Sequence, residues 1–136
     1  MTQVDDKLTE FIVGGKFVGV KFVETQSLKE GVEGDIYTFV NDDSRDLGIF
    51  TVQKGHKTPL QRVLLGDKTI EGFVSGTGTL TVDSEVYKFS PESNQKEIIV
   101  KVGQTMQYSA DEDSDLTFYE ICEPPYSSGR FENLPE

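Results

Sequence analysis

The chain has 136 residues, with 13 Lys plus Arg against 24 Asp plus Glu, a formal net charge of −11. A chain this acidic repels phosphate backbones and anionic lipid, so nucleic acid and membrane surfaces are excluded as first partners. The length suits one domain, and nine Phe and five Tyr without Trp supply a bulky apolar core.

The N-terminal residues Met1 to Asp6 show no basic start followed by an apolar run, which argues against a signal peptide. No apolar stretch approaches the roughly 20 residues needed to cross a bilayer. The single cysteine, Cys122, excludes an intrachain disulfide framework and fits a reducing compartment. A cytoplasmic protein is therefore expected.

In chain order, short apolar runs alternate with turn residues. Phe17 to Val23 comes first, then Ile36 to Val40, stopped by Asn41-Asp42-Asp43. Leu47 to Val52 follows, then Pro59 to Leu65, Thr69 to Ser75, Thr79 to Val82, Val86 to Phe89, Glu97 to Val102 and Leu116 to Cys122. Runs of this length, rich in Thr, Val, Ile, Phe and Tyr, predict strands of an all-β sandwich or barrel. Gly66-Asp67, Gly76-Thr77-Gly78, Asp83-Ser84, Ser93-Asn94 and Gly103-Gln104 supply the turns. No long window has a helical period, although Ser27 to Glu30 or the N-terminus admits a short helical turn. Pro124-Pro125 ends the last strand, and Arg130, Phe131 and Leu134 predict a tail that wraps and docks.

Three segments carry a family resemblance. Ile70 to Glu85, with its Gly76-Thr77-Gly78 turn, resembles the first motif of the cupin superfamily. Val102 to Ala110 resembles the start of the second motif, and Phe118 to Tyr126 resembles the last barrel strand and exit of small cupins. The resemblance implies a double-stranded β-helix, or jelly-roll barrel, spanning residues 1–136 as one domain. N-terminal strands would occupy 1–54, the core motifs 55–126 and the wrapping tail 127–136. It also implies a homodimer, since small cupins often pair their sheets, and the Phe- and Val-rich N-terminal half would need cover.

Metal-binding cupins carry two histidines two apart, a glutamate and a third histidine. By this resemblance Gln61 and Val63 fall on the first two positions, Thr69 on the glutamate and Ser114 on the last. All four ligands are replaced, so neither a metal nor another cofactor is expected. A rescue would combine His56, the only histidine, with Glu71 and a carboxylate from Asp111 to Asp115. The bland reading makes His56 an exposed loop residue and Asp111 to Asp115 a solvated acidic turn, since the run lacks the glycine of a calcium loop. Gly14-Gly15 is no phosphate loop, because no helix start with a lysine follows.

The remaining polar candidates sit on predicted strands. Thr69 and Glu71 share parity with Phe73, so all three point inward if Thr69 does. Glu71 is the candidate acid–base, its alternative being an outward residue facing Lys68 or Lys88. Gln61 would add an amide donor and acceptor, while Gln107 and Glu120 sit in strands whose parity the sequence leaves open. Cys122 reads as a buried structural thiol. The expected function is metal-free binding of a small polar organic ligand, sugar-like or an organic acid, by Gln61, Thr69, Glu71, Phe73, Gln107 and Glu120. The alternatives are an isomerase or epimerase using Glu71, a metal-dependent dioxygenase or isomerase with unusual ligands, and a non-catalytic regulatory module.

Overall fold

A computed structural model describes residues 7–64, 66, 68–125 and 131–135. Leu65, Asp67, Tyr126 and Arg130, named above, lie outside the described residues, as do residues 1–6.

The described chain is all β. Its twelve strands are β1 Glu10–Val13, β2 Lys16–Lys29, β3 Val32–Phe39, β4 Asp42–Val52, β5 Gln61–Val63, β6 Lys68–Gly76, β7 Gly78–Val82, β8 Glu85–Phe89, β9 Glu97–Lys101, β10 Thr105–Ala110, β11 Leu116–Glu123 and β12 Phe131–Asn133. Seven form one antiparallel sheet in the order β1-β2-β3-β4-β11-β6-β9. Five form the other, in the order β12-β5-β10-β7-β8.

Local chemistry explains the joints. Gly14 and Gly15 both have positive φ, 59° and 82°, and make the two-residue turn between β1 and β2. Gly76, at φ 87°, turns β6 toward β7, and a Cβ there would lie 1.9 Å from the Asp115 carbonyl oxygen. Both features favour glycine over any other residue.

Two structural features differ from the sequence reading. Ser27 to Lys29 continue β2 as strand, and Gly31 closes the turn to β3, so no helical turn forms there. The β-branched and aromatic content of β2 and its pairing with β3 outweigh any local helical preference. The tail also adds a strand. Phe131 pairs with Val63 and Asn133 with Gln61, and the Leu134 amide donates to the Leu60 carbonyl at 2.8 Å. The prolines delay pairing without preventing it.

The main core lies between the sheets and includes Val52, Val63, Leu80, Phe89, Val100 and Leu116, all buried. A second apolar cluster lies on the other face of the large sheet. Tyr37, Leu47 and Ile121 share one register row there, and Phe11 of β1 packs edge-on against Tyr119. The large sheet is thus apolar on both faces, except for a polar row directed inward.

Candidate functional site

Register builds that polar row. Glu24 pairs with Ile36, Ile36 with Gly48, Gly48 with Glu120, and Glu120 with Glu71. Residues opposite one another in a sheet point to the same side, so five strands aim these side chains into the barrel. The adjacent row brings Asp46, Cys122 and Thr69 together in the same way.

These rows open onto a cavity of about 200 Å³. Its polar lining comes from Glu24, Gln26, Asp46, Gln61, Glu120 and Cys122, and its apolar lining includes Leu28, Ile36, Phe50 and Phe131. A recess of about 20 Å³ shares Leu28, Phe50, Gln61 and Glu120 with it and reaches Thr58, Met106, Tyr108 and Phe118. That is room for about one water beside Tyr108.

Aromatic stacking forms the inner wall. The Phe50 ring lies against Gly34 and Gly48, where added Cβ atoms would fall 2.2 Å and 2.6 Å from it. Phe50 stacks on Phe118 at 5.6 Å, and Phe118 stacks on Tyr108 at 3.6 Å. Glycine at 34 and 48 therefore sets the position of the wall.

Behind the cavity sits Glu71, with 0% exposure. The Tyr108 hydroxyl donates to Glu71 Oε1 at 2.8 Å, while Oε2 accepts no hydrogen bond. Thr69 Oγ1, also fully buried, has no partner either. Burial pushes the Glu71 carboxyl well above the usual carboxylate range. The charge and hydrogen-bonding contact of Glu120 push the same way, and the Tyr108 hydroxyl opposes them, as does the nearby Thr69 hydroxyl more weakly. As carboxylates, Glu71 and Glu120 are both acceptors, so their contact becomes a hydrogen bond only when one carries a proton. Burial and Glu71 likewise raise the Tyr108 hydroxyl well above its ordinary value.

Of the residues singled out from sequence, Gln61 and Glu120 line the cavity, and Gln61 Nε2 donates to Asn133 Oδ1 at 3.1 Å. Glu71 and Thr69 point inward but lie behind that lining. Phe73 joins the core, edge-on to Phe89 at 6.3 Å, and does not line the cavity. Gln107 does not reach it. On β10 the buried residues are Met106, Tyr108 and Ala110, so alternation turns Gln107 away, and its Nε2 donates to the Thr58 carbonyl at 2.8 Å.

Glu24, Gln26, Asp46 and Cys122 are the polar lining residues that sequence reading missed. The Glu24-x-Gln26 spacing on the continuation of β2 was the available signal. The docked tail adds Phe131 to the lining as well.

No family model and no curated protein matches the sequence. Solved structures do match. A cupin-2 domain protein from Rhodospirillum rubrum superposes with a TM-score of 0.66 at 16% identity, over 93% of this chain and 80% of that one. The fold is that of a cupin. A cupin protein from Bacteroides fragilis gives a TM-score of 0.52 at 22% identity, covering 68% of this chain and 73% of its own. A variant of a Streptomyces nucleoside dehydratase, solved with uridine, gives 0.64 at 16% identity, covering 85% and 90%.

The residues on the cupin metal positions do not form a donor set. Val63 is an apolar core residue, and Ser114 sits in the acidic turn, where its hydroxyl donates to the Asp115 carbonyl. His56 packs on Gly31, where a Cβ would fall 2.4 Å from its ring, and it does not line the cavity. Asp111 pairs with Lys88 at 3.1 Å. Among the described residues, no three His, Cys, Asp or Glu side chains are grouped to hold a metal ion. Also among them, no helix is long and apolar enough to cross a membrane.

Proposed function

We propose that this cupin-fold protein binds a small hydroxylated organic molecule, sugar-like in its chemistry, at the cavity beside Glu120. The supporting observation is the pair of polar rows of the large sheet, which bring Glu24, Asp46 and Glu120 to one cavity that Gln61 of the small sheet completes, with an aromatic wall. Carboxylates and amide carbonyls accept hydrogen bonds from hydroxyls, and the aromatic and aliphatic wall suits the apolar face of a ring. Three carboxylates in the lining count against an organic acid as ligand. The cavity is smaller than the roughly 300–1,000 Å³ typical of drug-sized ligands, which favours a compact molecule. That a neighbour of the same fold was solved with uridine, a neutral hydroxylated compound, agrees with this reading.

The test is titration of the protein with neutral sugars and nucleosides, ribose and uridine among them, followed by amide chemical shifts. The expected result is saturable shifts at Gly48, Gln61 and Glu120, with Glu120→Gln weakening binding about ten- to a hundredfold. Shifts confined to other surfaces would overturn the reading.

A second reading is favoured by one observation, the buried Glu71–Glu120 contact behind the cavity. An acid–base enzyme acting on the same class of compound would use Glu120, the member of the pair that lines the cavity, as the group touching substrate. In that case Glu120→Gln abolishes turnover and leaves binding measurable.

Pairing of two copies belongs to the same proposal. Ile12, Phe17 and Val74 border one open depression and are 51%, 68% and 41% exposed, an apolar surface that a second copy would cover. Sedimentation equilibrium should report a dimer, and Phe17→Glu should dissociate it. A monomer at every concentration counts against the pairing.

A further inference from the structure

Two carboxyl groups meet in the middle of the barrel. Glu71 and Glu120 are direct register partners on β6 and β11, and such partners hold their Cβ atoms about 5 Å apart on one face. Glu71 is fully buried, takes one hydrogen bond from Tyr108, and leaves Oε2 without a donor. Two ionised carboxylates this close, one of them fully shielded from solvent, repel each other, and an acceptor left without a donor is costly. A single proton on Oε2 removes both penalties. Facing Glu71 are Tyr108 of β10, Ile98 of β9, Glu120 of β11 and the Thr69 hydroxyl two residues away on its own strand, which favours the charged form, with Tyr119 acting from the other side of β11. None of these brings it a positive charge.

We propose that Glu71 and Glu120 form a proton-sharing pair, in which Glu71 donates through Oε2 to Glu120 and fixes Glu120 as the charged acceptor for a ligand hydroxyl. Glu71 is then a positioning residue. It lies outside the cavity lining and acts through Glu120. The raised pKa of Glu71 supports this assignment of the proton. The proposal rests on the reading of the cavity as a ligand site, and it narrows the ligand to one that presents a hydroxyl donor to Glu120.

Infrared spectroscopy of the full chain in heavy water tests it without any ligand. Exposed glutamates ionise near pH 4.3, so at about pH 7 they contribute only carboxylate bands. Wild type should retain the carbonyl band of one protonated carboxyl at neutral pH, and Glu71→Gln should remove it. Glu71→Gln keeps the shape and still offers Glu120 an N–H. No band in wild type, or a band that survives Glu71→Gln unchanged, overturns the pair. If Glu71→Gln does not fold, Tyr108→Phe serves instead, since loss of the hydrogen bond to Oε1 should shift the band, and an unmoved band refutes the assignment. Ribose and uridine are then added to wild type and to Glu71→Gln. Binding that survives in Glu71→Gln with its pH dependence flattened is expected, whereas a parallel pH profile in both proteins counts against the positioning role. If the band behaves as expected and neither compound binds, the pair stands and the cavity reading falls.

Discussion

The acidic turn at Asp111–Asp115 and the Glu71–Glu120 pair are built from the same chemical group in opposite settings. In the turn, Asp111 faces water, accepts from Lys88 and has its pKa lowered, with hydrogen bonds from Thr77 and Lys88 as the main causes. In the barrel, Glu71 is fully shielded from solvent with no cation among its described neighbours, and its pKa is raised by burial. Carboxylates in the turn are abundant and lie at the surface. The interior pair is fixed by register and expensive to disturb. Composition alone, which counts 24 acids, does not distinguish the two.

The comparison breaks most sharply at Glu71. Glu71→Ala removes a buried side chain, opens a void and leaves the Tyr108 hydroxyl without its acceptor. A loss of about 2–4 kcal/mol is expected by chemical denaturation. Tyr108→Phe should cost less, about 1–3 kcal/mol, because it deletes one donor and little volume. An Asp111→Asn loss as large as that of Glu71→Ala would contradict the contrast.

The two settings also predict opposite limbs of a pH–stability curve. Glu71 holds its proton in the folded protein at pH values where the unfolded chain has released it. Its contribution is complete below the ordinary glutamate pKa, about 4.3, and is lost as pH rises through the raised folded value. Asp42, Asp83 and Asp111 have lowered folded values, so their contributions are present above the ordinary Asp range and are lost as pH falls through the lowered folded values. Stability should therefore decline on the alkaline side by a slope that Glu71→Gln flattens. General self-repulsion of so acidic a chain also steepens that side, so the difference between the two proteins is the quantity to measure. An identical alkaline slope in both would show that Glu71 does not carry this linkage.

Much of this was legible in the sequence, and the missing parts have physical reasons. Period-two alternation put Thr69 and Glu71 on one face, and the structure places both inside. The same alternation could not orient Glu120, because Tyr119 and Ile121 beside it are as apolar as a core demands. They serve the second cluster, on the outer face of the sheet. A sheet buried on both sides removes the hydrophobic contrast that fixes parity. Glu24 and Gln26 escaped because polar residues looked like the end of a strand, whereas β2 runs through them to Lys29. Asp46 needed the register of β4 against β11, a contact far apart in sequence.

The smallest predicted effect concerns Asp111. Asp111→Asn removes the ion pair with Lys88, whose side chain is 56% exposed, so water and salt already compete for it. The backbone of the turn is held separately. Gly55 donates to the Asp111 carbonyl at 3.0 Å, and the Asp111 amide donates to the Thr77 carbonyl at 3.1 Å, and neither bond involves the side chain. The variant should therefore lie within about 0.5 kcal/mol of wild type in urea denaturation at physiological salt. Millimolar calcium should leave both midpoints unmoved, since the turn lacks the glycine and spacing of a calcium loop. A calcium-dependent rise in the wild-type midpoint that Asp111→Asn abolishes would turn the acidic turn into a binding site and erase its contrast with the barrel interior.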